Sequence, residues 1–119
     1  MYTRLLLCTV IFLLSSCNRN EDSTQTNTPF KVAVNAMGKD FQIEASNLNI
    51  SQTLSSVEAP NSATVIIEQS DLLDDSVNAI KDIFVISFDN GKWVVQGRKT
   101  LYRCHHDRGS HQFTTALCK

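Results

Sequence analysis

The sequence predicts an α+β fold: a small antiparallel sheet of four or five strands with one or two short helices, closed by a C-terminal disulfide loop. Three observations predict it. Short segments with alternating apolar and polar residues recur between turn signals. One of these segments contains Asn90-Gly91, the strongest short signal for a β-hairpin. Two cysteines, Cys104 and Cys118, bound the last segment of a chain whose 119 residues suffice for one small domain.

The first expected element is a β-hairpin. The segments FKVAVN (30–35) and FQIEA (41–45) both alternate apolar and polar residues, as a half-buried strand does. Gly38 lies between them and can adopt the positive φ that a tight turn requires. The pattern therefore predicts two antiparallel strands joined by this turn.

A short helix and a third strand are expected next. Ile50, Leu54 and Val57 recur at helical spacing and stop before Pro60, which predicts one short helix. The segment ATVIIE, which begins at Ala63, is rich in β-branched residues and predicts a strand.

The segment 70–81 allows two interpretations. Leu73, Val77 and Ile80 have the spacing of a helix face, so a helical turn is the favoured prediction. Val77 and Ala79 can instead begin the next strand, and the sequence leaves this alternative open.

The segment DIFVISFDNGKWVVQGR (82–98) is the clearest element. A two-residue turn at Asn90-Gly91 sets the register of the hairpin. The expected pairs are Asp89 with Lys92, Phe88 with Trp93, Ile86 with Val95, and Phe84 with Gly97. The last three pairs share one face, which is the expected core face, with Trp93 as an anchor of the core rather than a platform for stacking a ligand.

The N-terminus has the pattern of an export signal. A short basic start ending at Arg4 precedes the apolar run Leu5–Leu14, and small residues lead to Cys17. The run is too short for a membrane-spanning helix, which needs about 20 apolar residues. The residues Leu14-Ser15-Ser16-Cys17 resemble the lipobox of bacterial lipoproteins.

That resemblance implies cleavage before Cys17 and acylation of this cysteine, and two or more acyl chains anchor a protein stably. Asn18 after the cysteine resembles the outer-membrane sorting pattern of enteric bacteria. The expected organisation is a cleaved signal peptide (1–16), a lipidated cysteine with a flexible tether (17–29) and a single α+β domain (30–119). The expected location is the periplasmic side of the envelope, at the outer membrane.

The expected location determines the cysteine chemistry. Cys8 leaves with the signal peptide and Cys17 carries lipid, so Cys104 and Cys118 remain as a pair in an oxidising compartment. A disulfide between them is expected to stabilise the domain by about 3 kcal/mol in the chain-entropy model.

The charges are distributed unevenly along the chain. Residues 18–90 carry four basic and eleven acidic side chains, whereas residues 91–119 carry six basic and one acidic. The simpler interpretation is a basic tail lying across an acidic body. The alternative is a basic patch for an anionic partner. The candidate binding residues are Lys92, Arg98, Lys99, Arg103 and Arg108. The net charge of −1 does not indicate a nucleic-acid partner.

Neither a metal site nor a catalytic site is expected. His105, His106, Asp107 and His111 are potential ligands, but they lack the spacing of a specific metal motif. A disulfide also consumes the thiols that zinc binding or nucleophilic catalysis needs. The remaining acids and Ser110 form no recognisable catalytic pattern. We expect no cofactor and no enzymatic activity.

The C-terminal third resembles a module of small uncharacterised exported bacterial proteins. The residues that carry the resemblance are Asp74 to Val77, Gly91, Trp93, Cys104, Arg108-Gly109, His111-Gln112-Phe113 and Cys118. The chain departs from the pattern at Ser110, which separates Gly109 from His111. No activity follows from the resemblance. The pattern suits a structural clasp in which Gly109 bends the chain, His111 and Gln112 hydrogen-bond the loop, and Phe113 plugs the core.

The sequence therefore predicts a membrane-anchored periplasmic lipoprotein that binds an unknown envelope protein or cell-wall polymer. The alternative is a small inhibitor or immunity lipoprotein against a cell-wall-degrading enzyme or toxin, in which the acidic body makes the contact.

Overall fold

A computed structural model describes residues 27–119, which form one helix followed by four strands. The elements are α1 (Pro29–Met37), β1 (Asn47–Leu54), β2 (Ser62–Ser70), β3 (Val77–Asp89) and β4 (Lys92–Cys104). The four strands form one antiparallel sheet in the order β1-β2-β3-β4, so each strand pairs with its neighbour in the chain. The predicted α+β class is confirmed, with four strands, one helix and a C-terminal disulfide.

Helix α1 packs on one face of the sheet, and the core lies between them. The buried core residues are Ala33 of α1 with Val65, Ile67, Phe84 and Ile86 of β2 and β3. Partly buried apolar residues complete this layer. They are Val34, Met37, Phe41, Ile50, Trp93 and Val95. Trp93 thus packs against the core, as the sequence indicates.

The predicted N-terminal hairpin is wrong, because residues 29–37 are helical. Thr28 caps the helix, its hydroxyl accepting a hydrogen bond from the Lys31 N–H at 3.3 Å. Pro29 occupies the first turn, where its missing N–H costs nothing. The apolar residues of FKVAVN also fit a helical stripe, since Ala33 and Met37 face the sheet on successive turns. The segment 41–45, predicted as the second strand, forms turns and bends.

The predicted helix around Ile50 is also wrong, because this segment is strand β1. Its apolar residues Leu48, Ile50 and Leu54 fit an alternating pattern as well as a helical one. Pairing with β2 over the whole strand, from Asn47↔Ser70 to Leu54↔Ala63, decides between the two. Val57 lies outside the strand and is almost fully exposed.

The predicted strand at Ala63 is confirmed as the middle of β2, and its residues alternate between buried and half-buried. The helical turn favoured for residues 70–81 is wrong, and the alternative is right: β3 begins at Val77. The segment before β3 is instead a loop, where the Asp74 carboxylate accepts the backbone N–H groups of Ser76 and Val77.

The β3–β4 hairpin has the predicted turn, and its register is right only next to that turn. Asn90 (φ 47°) and Gly91 (φ 79°) both have positive φ, as a type I′ turn requires. Phe88 pairs with Trp93 and Ile86 with Val95, but the register then shifts at a bulge that leaves Gln96 unpaired. Phe84 therefore pairs with Arg98, and the predicted partner Gly97 pairs with Val85.

The predicted signal peptide (1–16), Cys17 and the tether up to residue 26 lie outside the described residues. The end of the predicted tether belongs to the domain, since Asn27 accepts the Trp93 backbone N–H at 2.6 Å and Thr28 caps α1. Within residues 27–119, no helix has both the length and the apolar character to cross a membrane.

Candidate functional site

The two faces of the sheet differ in what covers them. Helix α1 packs on the face that bears Val65, Phe84 and Ile86. Among residues 27–119, no helix packs on the opposite face, which we call the uncovered face. Its apolar residues are Ile66, Ile83, Val85, Val94 and Leu101. Val85, at its centre, is 52% exposed, which is unusual for an apolar residue in a central strand.

Basic residues border the apolar residues of the uncovered face. Lys99 lies next to Ile83 in the register of the hairpin, Lys92 lies at the turn end, and Arg103 lies at the far end. Strand β1 contributes no charged residue at all. The acids on this face are Glu68, which pairs with Lys81 at 3.1 Å, and Asp89, opposite Lys92. This face is therefore apolar in the middle and basic along β4.

Arg98, a predicted binding residue, lies on the helix-covered face. Its Nε donates to the Oδ1 of Asp82 at 2.8 Å, and Asp82 is 1% exposed. The Thr100 hydroxyl donates to the same oxygen at 2.5 Å. The guanidinium also reaches the carbonyl of Ala36 in the last turn of α1 at 3.4 Å, where a positive charge is favourable. Arg98 thus links the buried acid to the helix, and we assign it a structural role.

The C-terminal loop (residues 105–119) folds back on the end of the sheet where β3 begins and β4 ends. The disulfide joins Cys104 to Cys118, with Cα atoms 5.5 Å apart, and confirms the predicted pairing. Tyr102 and Thr114 exchange two backbone hydrogen bonds of 2.7 and 3.0 Å, which extends the sheet beyond β4. The Ser76 hydroxyl donates to the Lys119 carbonyl at 2.6 Å. Backbone groups and serine hydroxyls therefore hold this loop in place.

Gly109 occupies the tightest point of the C-terminal loop. Its φ is +146°, a conformation that side chains disfavour, and an added Cβ would lie 2.8 Å from the Cys104 Sγ. Its neighbour Ser110 accepts the Cys104 backbone N–H through its carbonyl at 2.8 Å, so the backbone here has little freedom to shift.

Replacing Gly109 with alanine is expected to lower the free energy of unfolding by about 1–3 kcal/mol, from backbone strain and the clash with the disulfide. Chemical denaturation measures the change. Gly97→Ala is the matched control, because a Cβ there meets nothing within 4 Å, and its stability is expected to stay close to that of the unsubstituted protein. Equal effects of the two substitutions would contradict the role assigned to Gly109.

The other three residues of the predicted clasp lie in this loop in different settings. The Phe113 ring lies 4.1 Å from Lys81 Nζ and 5.1 Å from the Arg103 guanidinium carbon, so it packs over the end of the uncovered face. His111 and Gln112 are exposed. The Gln112 backbone N–H donates to the Ser110 hydroxyl at 3.0 Å, and that hydroxyl donates to the Gln112 carbonyl at 2.9 Å.

The remaining histidines also lie in the C-terminal loop. His105 is half-buried, and its backbone N–H donates to the Ser76 carbonyl at 2.9 Å. The rings of His106 and His111 lie 5.5 Å apart, and His106 is 3.4 Å from Asp107. In the part of the chain that the structure describes, no three histidine, cysteine or acidic side chains converge.

Asp74 organises the loop before β3, which lies against the C-terminal loop. The Val77 and Ser76 backbone N–H groups each donate to its carboxylate at 2.7 Å. These bonds hold the pKa of Asp74 below its ordinary value of 3.8, because they stabilise the charged form.

The stability that Asp74 contributes should depend on pH. Because its pKa is lowered in the folded state, its contribution is present above pH 3.8 and is lost as the pH falls through the lower folded pKa. We expect the unfolding free energies of the protein and of its Asp74→Asn variant to differ at about pH 6 and to approach each other as the pH falls below 3.8. A difference that stays constant with pH would argue against this role.

Sequence reasoning missed two features of this region. One is the buried charge of Asp82, whose signal is an acid at an inward position between Ile80 and Phe84 that needs a partner. The bond of Ser76 to the C-terminal loop has no signal in the sequence, because it joins residues 43 positions apart in the chain. Trp93 and the C-terminal loop both belong to the pattern shared with small exported proteins. In the structure they lie apart, because Trp93 is at the turn end of the β3–β4 hairpin and the loop is at its other end.

A scan against protein-family models found no match for this chain, and searches of curated proteins and of solved structures found no similar protein. The function must therefore be argued from the residues of the chain itself.

Proposed function

We propose that the chain is a lipid-anchored envelope protein that binds an anionic envelope partner through its uncovered face. The observation that carries this proposal is the composition of that face. Apolar residues lie at its centre, Val85 is half-exposed, and the basic residues of β4 border it. Such a surface provides apolar area for binding and positive charge for attracting an anionic polymer or an acidic protein.

The basic residues that serve this role are those that the structure leaves on the accessible side. Lys92, Lys99 and Arg108 are exposed, and Arg103 flanks the Phe113 ring. Arg98 is excluded from this set because it pairs with Asp82 on the helix-covered face. The binding is therefore proposed to depend above all on Lys99, which lies about halfway along β4, beside Ile83 of β3.

The proposal is tested by binding of the full chain to isolated peptidoglycan sacculi at increasing salt. Binding is expected to weaken as salt screens the charges, and Lys99→Glu is expected to reduce it several-fold at low salt. The control is Lys31→Glu, which changes the net charge equally but lies on the exposed side of α1, away from the uncovered face. An equal loss with both substitutions would mean that net charge alone drives the binding.

The anchor is proposed from Leu14-Ser15-Ser16-Cys17. Cys17→Ser is expected to abolish incorporation of labelled palmitate and to release the protein from the membrane fraction, because no acyl chain can then attach. Cys8→Ser is the control and is expected to leave labelling unchanged. Palmitate labelling that survives Cys17→Ser would rule out this attachment site.

A second function, inhibition of a wall-degrading enzyme or toxin, is favoured by the acidic loop between β2 and β3. Asp71, Asp74 and Asp75 are all exposed there, and Asn47 donates to Asp71. A rigid acidic loop suits a basic cleft in another protein. If this function applies, Asp71→Asn with Asp75→Asn will abolish inhibition of such an enzyme, while Lys99→Glu will leave it unchanged. A toxin gene adjacent to the gene for this chain would also support it.

A further inference from the structure

The outer edge of β1 is a part of the surface distinct from the uncovered face. Strand β1 pairs with β2 on one side only and forms one border of the sheet. Seven of its eight residues are exposed. Its sequence, NLNISQTL, contains no charged residue and no proline, and its register with β2 has no bulge. Proteins normally protect an edge strand by one of these three means.

The opposite edge of the same sheet has two of these protections, charged residues and a bulge, and a loop also covers part of it. Strand β4 carries Lys92, Arg98, Lys99 and Arg103, its register shifts at the Gln96 bulge, and Thr114 of the C-terminal loop bonds to Tyr102 on its outer side. Among residues 27–119, one edge of the sheet is thus protected and the other pairs with no further strand. An open edge of this kind is suited to pair with another strand.

The hydrogen-bonding pattern shows which residues of β1 point outward. The Ser55 N–H donates to the Ser62 carbonyl at 2.9 Å, which makes Ser55 and Ser62 a hydrogen-bonded pair. Because such pairs alternate along an antiparallel ladder, the odd-numbered residues of β1 bond to β2. The even-numbered residues direct their backbone N–H and C=O groups to the open edge. These are Leu48, Ile50, Gln52 and Leu54.

We infer that β1 pairs antiparallel with β1 of a second copy of this chain, about a two-fold axis at Ser51. This register sets Leu48 opposite Leu54 of the second copy and Ile50 opposite its Gln52, so every outward residue finds an outward partner. Leu48 and Leu54 are 43% and 39% exposed in the single chain, and the pairing brings them into contact. No like charges meet, since β1 has none.

The symmetry also fits a protein held at a surface. An axis perpendicular to the sheet leaves both α1 helices on the same side of the combined sheet. The two uncovered faces then lie side by side on the other side, which doubles the binding surface proposed above. The inference does not depend on that function, because β1 contributes no charge to it.

The test is cysteine cross-linking of the full chain in its own membranes. At the two-fold axis, the two Ser51 residues form a non-hydrogen-bonded pair with Cα atoms about 4.5 Å apart, within the range of a disulfide. Ser51→Cys is expected to give a disulfide-linked dimer upon mild oxidation. Asn49→Cys is the matched control on the same strand and face, because its two copies lie roughly 13 Å apart. The unsubstituted chain, treated in the same way, shows how much cross-linking the native cysteines give by themselves.

A mixture of the Asn49→Cys and Thr53→Cys chains is expected to cross-link, because Asn49 faces Thr53 of the second copy in this register. A dimer of Asn49→Cys alone, or no dimer of Ser51→Cys above the control, would overturn the proposal. A cross-linked product containing a different protein would also overturn it, since another strand would then occupy the edge.

A charge exchange across the interface, made in the Ser51→Cys chain, tests which residues of the two strands lie opposite each other. Leu48→Lys with Leu54→Lys sets like charges opposite each other, so we expect roughly tenfold less Ser51→Cys cross-linking. Leu48→Lys with Leu54→Glu sets opposite charges at the same places and is expected to restore it. Both substitutions are on exposed side chains, so the melting temperatures of the two variants should agree. Equal cross-linking in both variants would overturn the register.

Discussion

Replacing Arg98 with methionine is expected to lower the free energy of unfolding by about 3 kcal/mol, because it leaves the Asp82 carboxylate buried without a counter-charge. Asp82 is 1% exposed, and Thr100 would remain its hydrogen-bond donor. The expected loss of stability is at the lower end of the range for breaking a buried ion pair, because the Arg98 side chain is 40% exposed and water screens its outer part. Chemical denaturation followed by circular dichroism measures it.

A double variant separates the cost of an unpaired charge from the loss of contacts. Asp82→Leu with Arg98→Met removes both charges and keeps an apolar side chain at the buried position. We expect it to recover most of the stability lost in Arg98→Met alone, because an apolar pair of similar volume often replaces a buried ion pair without loss. If the double variant is less stable than Arg98→Met, the pair itself is stabilising and this explanation is wrong.

Removing the disulfide is expected to have an effect of similar size. Cys104→Ser with Cys118→Ser opens a loop whose ends are 14 residues apart, which should cost about 3 kcal/mol of stability. The exchange of backbone hydrogen bonds between Tyr102 and Thr114 should weaken with it, because the C-terminal loop then has no covalent tie to β4.

Hydrogen exchange and denaturation together measure this effect. The amide of Tyr102 is expected to exchange faster in the double serine variant, while those of Ile67 and Phe84 follow only the change in global stability. Reducing agent should destabilise the unsubstituted protein by a similar amount and leave the variant unchanged. A variant as stable as the oxidised protein would show that hydrogen bonds alone hold the loop.

The basic residues of the C-terminal third show why a site cannot be read from charge alone. Arg98 and Lys99 are neighbours in a strand and both were expected in a basic patch. The structure places Arg98 against the helix and Lys99 on the opposite face. The Gln96 bulge is responsible, because one extra residue exchanges the faces of all the residues after it. Without the bulge, Lys99 would face the buried carboxylate.

Three features of this protein follow from local chemistry. The turn at Asn90-Gly91 needs positive φ at two successive residues, which asparagine and glycine tolerate best. The alternation in ATVIIE buries one side of β2, and Cys104 and Cys118 pair as expected. The turn and the alternation depend on residues close in the chain, and the disulfide depends on there being one pair of cysteines in the domain.

The helix α1, the strand β1 and the bulge at Gln96 required the folded chain. The apolar residues of both N-terminal segments fit helical and extended periods, so only their packing against β2 and β4 separates the alternatives. The Thr28-Pro29 pair is a local helix-start signal, but the residues that follow it also alternate as a strand does. The bulge has no local signature in the sequence. It sets Arg98 beside Asp82, and this contact joins residues on two different strands, so a local sequence pattern does not reveal it.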